Sequence, residues 1–516
     1  MGVLVGAWAF APFVLIAVDA ALHHRVFLGV AGFYPMDGLQ YLAWVRDAQH
    51  GLIRNLFGSA TDHAVFVHPM WTPSGLLQGV IPFSDAALLG FWKAVSAVVL
   101  FAGCRRLAWT HISPARPGRR VLALLLAVFG GLTPIAGLMW AFDGGAKWDF
   151  ARAAGDLIPA MSLWDYAPLA IALGLMPFAI AGAERLLGGT ASRSVVARTA
   201  VIGALVTWLH PWQGETLIAV YAGLVVWRAL DERAGPVRSP VPYRALVVVI
   251  GATALPALYY LLLSRIDPGW AVSERSSVSA ATIPAPVLLC CVLPLIMTGY
   301  AGVRRALSDP RARALVLWAA ATLLTVAISR SGEYRAIDGL AIPIAVLAVR
   351  GWPDGGGRHR GRAWAAVLAA LAAAAAFCAV ALPYLLTRDV RQYTQLSRSD
   401  VRAVALAGRA AGGEPIIAPV VLGTAVPALT DQPSWVGHPI WTPDLSTRIW
   451  QSGLLLSNLL TPAQARELIA STRSRALVQP CGWPGNLEPE LAALGFREVR
   501  VGCERVYIRP MRRAAV

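Results

Sequence analysis

The sequence predicts an all-α polytopic membrane protein of about eleven transmembrane helices, with a small α/β domain after the last of them. Three observations predict it. The 516 residues are 57% apolar and only 14% charged, well below the roughly 25% charge of an ordinary soluble chain. The apolar residues fall into repeated runs, many close to the 20 or so residues that cross a bilayer. The arginines, which supply nearly all of the formal charge of +16, crowd into alternate loops between those runs, as the positive-inside rule requires.

The runs lie near 3–22, 85–104, 121–140, 162–182, 195–210, 214–230, 244–264, 283–303, 312–329, 336–350 and 364–387. The first lacks a basic leader and runs long for a signal peptide, so it reads as a membrane helix. With the N-terminus in the cytoplasm, the inner loops hold Arg105, Arg106, Arg116, Arg119 and Arg120, then Arg185, Arg193 and Arg198, and further groups through Arg244, Arg313 and Arg362. The outer side holds fewer, among them Arg25, Arg46, Arg54, Arg330 and Arg335. The bias persists through every inner loop, and a wrong span count would have scrambled it. Charge placed in this way serves topology, which argues against nucleic acid as a partner. Of the six cysteines, Cys104, Cys290, Cys291 and Cys378 lie in or beside apolar runs and read as small buried hydrophobes.

The long loops all fall on the outer side. They are residues 23–84, the acidic stretch 141–161 with Asp143, Asp149 and Asp156, and residues 265–282. The chain therefore divides into a membrane domain, 1–387, and an extracytoplasmic domain, 388–516. In the tail, β-branched runs at Pro415–Val421, Arg475–Gln479, Glu498–Val501 and Arg505–Ile508 alternate with helical stretches at Ser399–Ala411, Pro462–Thr472 and Leu487–Leu494, a pattern for a small α/β fold. Cys481 and Cys503 both lie in this tail, on the oxidising side; the sequence leaves their pairing open.

The first candidate for chemistry follows the first apolar run, in Tyr34-Pro35-Met36-Asp37. Asp37-Gly-Leu-Gln40 reads as a variant capping box for a helix over 38–50, with Gly51 at its end. That helix carries Tyr41, Trp44 and Ala48 on one side and is expected to lie in the membrane interface. The local pattern makes Asp37 a helix cap. Its position, at the first outward turn, makes it a base that meets lipid-borne and water-borne reactants alike.

Two other clusters sit where apolar runs meet with almost no loop. His210-Pro211-Trp212-Gln213-Gly214-Glu215 joins two short runs, which places His210 and Glu215 near membrane depth, where ionisable groups mark function or a satisfied pair. Ser329-Arg330-Ser331-Gly332-Glu333-Tyr334-Arg335-Ala336-Ile337-Asp338 separates two more. Arginine forks suit phosphate oxygens, and a snorkelling, self-paired loop is the alternative. Asp62, His63 and His68 match no firm metal-ligand spacing. There is no phosphate loop, dinucleotide fingerprint, nucleophile elbow or zinc signature, which argues against an ATP-driven pump.

These residues together resemble the GT-C glycosyltransferases, polytopic enzymes that take a sugar from a polyprenyl-phosphate donor on the outer membrane face. The likeness lies in the plan and in short motifs: the aspartate in Tyr34-Pro35-Met36-Asp37, a long first outer loop with an interfacial helix, His210-Pro211-Trp212 at an outer helix end, and Glu333-Tyr334-Arg335 before Gly339-Leu340-Ala341-Ile342-Pro343. The tail stretch Gly437-His438-Pro439-Ile440-Trp441-Thr442-Pro443-Asp444, after Leu422-Gly423-Thr424-Ala425-Val426-Pro427, is similar to tails of bacterial members. Many members carry a double acidic motif after the first span. Here Gly38 follows Asp37, so no metal role is carried over to this position.

The resemblance implies sugar transfer with inversion, from a polyprenyl-phosphate-linked donor to an envelope glycan, lipid or protein. Asp37 is then the base. Arg335, with Arg330 and His210, is expected to hold the donor phosphate, and Glu215, Glu333, Tyr41 and His68 are expected to bind substrate. Tyr41, Trp44 and Trp71 can stack on sugar. No cofactor or metal is assigned. The competing class is a transporter or flippase of a lipid-linked saccharide, which often shows an inverted repeat or paired broken helices; neither is visible here. A non-catalytic scaffold is the third class, if Asp37 is only a cap.

Overall fold

The computed structural model describes residues 1–58, 63–130, 158–189, 192–234, 243–278, 297, 299–309, 312–328, 337–352 and 358–510. It is mainly helical, with a small sheet near the C-terminal end. Among the described residues, five helices are long and apolar enough to cross a membrane: Gly2–Leu22, Asp85–His111, Ala167–Leu187, Tyr243–Ile266 and Trp364–Tyr384. The chain is a multi-pass membrane protein by that measure. Shorter apolar helices, Arg313–Ile328 and Ala341–Gly351, fall where spans are expected. The run expected at 162–182 is two helices, Pro159–Asp165 and Ala167–Leu187, separated just before Pro168. Pro168 has no amide hydrogen for the Trp164 carbonyl, so the first helix cannot run on through it, and the second starts with it in the first turn.

The chain forms two compact units. The first comprises Met1–Pro12, Phe91–Leu261 and Ala280–Tyr384. Its helices approach closely at small residues, as helices do where lipid offers no hydrophobic drive to association. A Cβ on Gly103 would stand 2.1 Å from the Gly174 carbonyl oxygen, and one on Gly174 would stand 2.5 Å from the Val99 backbone. Lys93 is buried and donates to the carbonyls of Leu163 and Trp164 at 2.6 and 3.0 Å. Trp8 donates to the Ala160 carbonyl and accepts from the Trp164 indole, each at 2.8 Å. Together they clasp the short helix Pro159–Asp165. Arginines expected on the inner side converge: Arg119 and Arg305 both donate to the Trp352 carbonyl, while Arg350 pairs with Asp309 and donates to the His111 carbonyl.

The second unit comprises Phe13–Gly90, Leu262–Ser279 and Leu385–Val516. The tail's compact unit thus also takes in the first outer loop and part of the third. Strands β1 (Val26–Phe27) and β2 (Gln395–Leu396) stand apart from a four-stranded sheet, which is built in spatial order from β3 (Ile416–Ile417), β4 (Ala476–Gln479), β6 (Glu504–Ile508) and β5 (Arg497–Val501). The β3–β4 pair is parallel and the others antiparallel. Helix Arg398–Ala411 starts on a Ser397/Asp400 capping box. It covers one sheet face with Ala403, Val404 and Ala407, in a core that also contains Val30, Leu39 and Leu42 of the first loop. The other face carries Leu455, Ile469 and Phe496. A shorter sheet pairs Val26–Phe27 with Gln395–Leu396, beside Asp19, which binds Arg391 and Gln395 at 3.0 and 2.7 Å. Cys481 and Cys503 form a disulfide.

The helix that carries Asp37 differs from its expected form. It spans Pro35–Asp47, with Tyr34 at the N-cap and no side-chain cap bond. Asp37 therefore lies inside the first turn and does not cap it. A short 3-10 turn, Ala48–His50, continues the helix to Gly51, whose φ of +125° only glycine adopts readily. No residue from Pro35 to Gln49 is exposed, because the apolar helix Val420–Thr430 and helix Trp71–Val80 cover this one. The surface element is instead helix Trp71–Val80. It turns Trp71, Thr72, Ser74 and Gly75 inward and leaves Leu76, Leu77, Val80 and Ile81 outside. Apolar residues outside and small polar ones inside suit a helix laid against lipid.

Candidate active site

Asp37 meets a residue far along the chain. His438 Nε2 lies 2.8 Å from Asp37 Oδ1, across 401 positions. The His438 side chain is 1% exposed and that of Asp37 is 16%, so the carboxylate remains reachable while its partner is enclosed. His438 lies in the tail motif Gly437-His438-Pro439-Ile440-Trp441, which by itself assigns it no role. The only signal is a histidine between glycine and proline, three residues before a tryptophan; nothing local connects it to Asp37.

The turn that presents His438 is tightly held. The amides of Trp441 and Thr442 donate to the His438 carbonyl at 3.2 and 2.9 Å. The Gly437 amide donates to Thr442 Oγ1 at 3.2 Å, and Asn55 Nδ2 donates to the Trp441 carbonyl at 3.1 Å. Two glycines allow the approach. A Cβ on Gly423 would stand 1.9 Å from the Val436 oxygen, and one on Gly437 would stand 2.7 Å from the Phe57 ring.

Aromatic rings gather on the same side of the Asp37 helix. Tyr41 stacks on Trp71, centroids 4.8 Å apart and planes 19° apart. Trp44 lies 5.7 Å from Tyr41 and 5.6 Å from Trp441. Trp270, from the third loop, packs on Phe66 at 4.2 Å and on Trp441 at 4.7 Å. Rings contributed by three separate segments form one cluster, in which Trp44, Phe66, Trp71 and Trp441 are buried and Tyr41 and Trp270 are part-exposed.

His68 is buried beside Trp71, 5.7 Å from it and nearly parallel. Its Nδ1 accepts from the amides of Met70 and Trp71, at 3.2 and 3.4 Å. Burial pushes its pKa down to about 3, so the ring stays neutral. These bonds lie at the start of the Trp71–Val80 helix. Gly38 stands where a second carboxylate would fall in a double acidic motif. A Cβ there would lie 2.8 Å from Val30 Cγ1, and Val30 is buried in the core. Gly38→Asp is expected to destabilise the protein by about 1–3 kcal/mol through overpacking, read as a lower melting temperature in detergent. Among the described residues, the metal-like grouping is Cys481, Cys503 and Glu504, and there the two sulfurs are joined to each other.

In the first unit, His210 ends helix Arg193–Leu209, and Pro211 starts the next helix directly. The expected loopless hairpin is present. The carboxylate beside His210 is Asp338, not Glu215. His210 Nε2 lies 3.7 Å from Asp338 Oδ2, and that side chain is 1% exposed. Gln213 donates to the Asp338 carbonyl at 2.9 Å. Glu215 is exposed on its helix, because His210 lies outside the helical repeat and the histidine–glutamate spacing no longer sets a common face. Residues 59–62, 131–157 and 329–336 lie outside the described residues, and with them Asp62, Asp143, Asp149, Asp156, Arg330, Glu333 and Arg335.

No family model matches the chain, and no curated protein matches it. Solved structures give distant likenesses. One is the archaeal oligosaccharyltransferase AglB from Archaeoglobus fulgidus, in complex with an inhibitory peptide and a dolichol-phosphate. It is 13% identical, with 91% of this chain and 69% of that chain covered, at a TM-score of 0.47. The apo form of the Archaeoglobus fulgidus oligosaccharyltransferase is 13% identical, covering 92% and 69%, at 0.49. ArnT from Cupriavidus metallidurans, bound to undecaprenyl phosphate, is 13% identical, covering 97% of each chain, at 0.48. Likenesses at these values carry no activity over to this chain.

Proposed function

We propose that the chain is an integral membrane glycosyltransferase. It moves a sugar from a polyprenyl-phosphate-linked donor to an envelope glycan, lipid or protein on the outer face, with inversion. The observation that carries this reading is the Asp37 carboxylate: reachable, held at 2.8 Å by a buried histidine, on a helix whose next turn begins a cluster of stacking rings.

The chemistry asks for one base. A lipid phosphate is already a good leaving group and needs positive charge, not a general acid. Asp37 takes the proton from the acceptor hydroxyl as its oxygen attacks the anomeric carbon from the face opposite the phosphate. The carbon–phosphate-oxygen bond breaks, and the phosphate leaves with the electron pair. Hydrolysis of an ordinary glycoside needs a carboxyl pair instead, and Gly38 beside Asp37 suits the single base.

Arg335, with Arg330 and His210, holds the phosphate and stabilises the charge that grows on it. Two arginines of the first outer loop are paired with carboxylates: Arg46 binds Asp85 at 2.8 Å and Arg54 binds Asp47 at 2.6 Å. Tyr41 offers the sugar a ring face, and Glu215 and Glu333 contact polar parts of the substrate. The protein sits in the plasma or inner membrane with its N-terminus in the cytoplasm and its tail outside. The convergence of Arg119, Arg305 and Arg350 in one unit supports a shared inner side. The compaction of outer loops with the tail in the other unit supports a shared outer side.

The test is a transfer assay in nanodiscs, with undecaprenyl- and decaprenyl-phosphate donors carrying radiolabelled hexoses or pentoses and a crude envelope extract as acceptor. Wild type is expected to move label. Arg335→Ala is expected to lower kcat/KM for the donor by about 10²–10³-fold, and unchanged turnover removes the phosphate assignment. No label moved from any donor, with protein folded and donor bound, turns the reading to transport.

A further inference from the structure

Resting on the reading of Asp37 as the base, we infer that His438 is its positioning residue, a neutral imidazole that holds the carboxylate in one orientation and takes no proton itself. The tautomer follows from the backbone. The Ile440 amide donates to His438 Nδ1 at 3.2 Å, so that nitrogen is an acceptor and carries no hydrogen. In the neutral ring the proton is then on Nε2, the atom 2.8 Å from Asp37 Oδ1. The histidine donates and the carboxylate accepts.

This arrangement separates His438 from a proton relay. A relay histidine must pick up a proton on one nitrogen as it releases one from the other. Here the Nδ1 lone pair already faces an amide hydrogen, and protonation there would set two hydrogens against each other. The proton that Asp37 removes from the acceptor hydroxyl therefore stays on Asp37 until it passes to solvent. Through the step, His438 keeps its own hydrogen and fixes the rotamer of the base.

The ring is built to stay in place. It is enclosed, lies 5.8 Å from the Phe57 ring, and hangs from the turn whose carbonyl accepts two amides. A buried donor on a rigid turn aims the carboxylate more sharply than a solvated one, and small misplacements of a catalytic group cost rate far more than binding.

The experiment uses the full chain in nanodiscs, with the undecaprenyl-phosphate donor that wild type turns over. His438→Gln places an amide nitrogen where imidazole Nε2 stood. His438→Asn places one only where Nδ1 stood, too short to reach Asp37. His438→Leu removes the donor. Leu and Asn are expected to lower kcat by about 10–100-fold with donor KM within about twofold of wild type, and Gln is expected to restore most of the rate. Melting temperatures of all three screen out unfolding; if Leu does not fold, the Gln and Asn pair decides alone. Equal rates for Gln and Asn, or a wild-type rate for Leu, overturn the positioning role. Those results, with Asp37→Asn inactive, leave the glycosyltransferase reading standing. A wild type that transfers nothing overturns both.

Discussion

Asp37→Asn is expected to lower kcat by about 10²–10⁴-fold, the usual worth of a positioned general base, with little change in stability. The two side chains have the same shape, and the asparagine carbonyl oxygen can still accept from His438 Nε2. The helix does not depend on the carboxylate for a cap, because Tyr34 holds that position without a side-chain bond. The measurement is single-turnover transfer in nanodiscs, beside a melting curve. A variant that melts like wild type and transfers no sugar isolates the chemistry. One that transfers normally removes Asp37 from it, and the carboxylate returns to the weak role of an anion in the first turn of a helix.

The second large effect concerns stability. Cys481→Ser with Cys503→Ser is expected to lower the unfolding free energy of the sheet-bearing unit by about 3 kcal/mol, the loop-closure value for a bridge of this span. The bridge closes 22 positions and ties the end of β4 to the turn between β5 and β6. Beside it, Glu504 is buried and accepts from the Cys481 amide and the Ser399 hydroxyl. Burial, reinforced by Asp400, pushes its carboxyl pKa up. Losing the bridge loosens the amide that holds this carboxyl. Limited proteolysis of the tail reads the change. A reductant should sensitise wild type and leave the double variant unaffected; equal resistance of all samples would show that the bridge adds nothing.

The tail was the most legible region. Its helices Arg398–Ala411 and Pro462–Thr472 and strands β4, β5 and β6 fall within a residue or so of where period and β-branching place them. Capping residues Ser397 and Thr461 mark both helix starts. The segment Pro415–Val421 was harder. Only Ile416–Ile417 is strand, and Val420–Thr430 is helix, because an apolar run buried on all sides shows no period to separate the two forms. The same ambiguity hid the element that buries the Asp37 helix and made that helix look interfacial.

By itself the sequence determined that the chain is helical and membrane-bound, that loops alternate in charge, that His210 and Pro211 join two helices without a loop, and that Asp37 follows the first span. Those features are local: each is written in a run of apolar residues, a proline or a charge count, and helix period and bilayer thickness read them directly. Only the tertiary structure decided which groups meet. It set His438 against Asp37 across 401 positions, placed Asp338 rather than Glu215 beside His210, and left apolar side chains of Trp71–Val80 exposed while enclosing the helix before it. Such pairings have no period. They follow from how apolar faces bury one another, and from glycines such as Gly423 and Gly437 that let two backbones approach where any side chain would hold them apart.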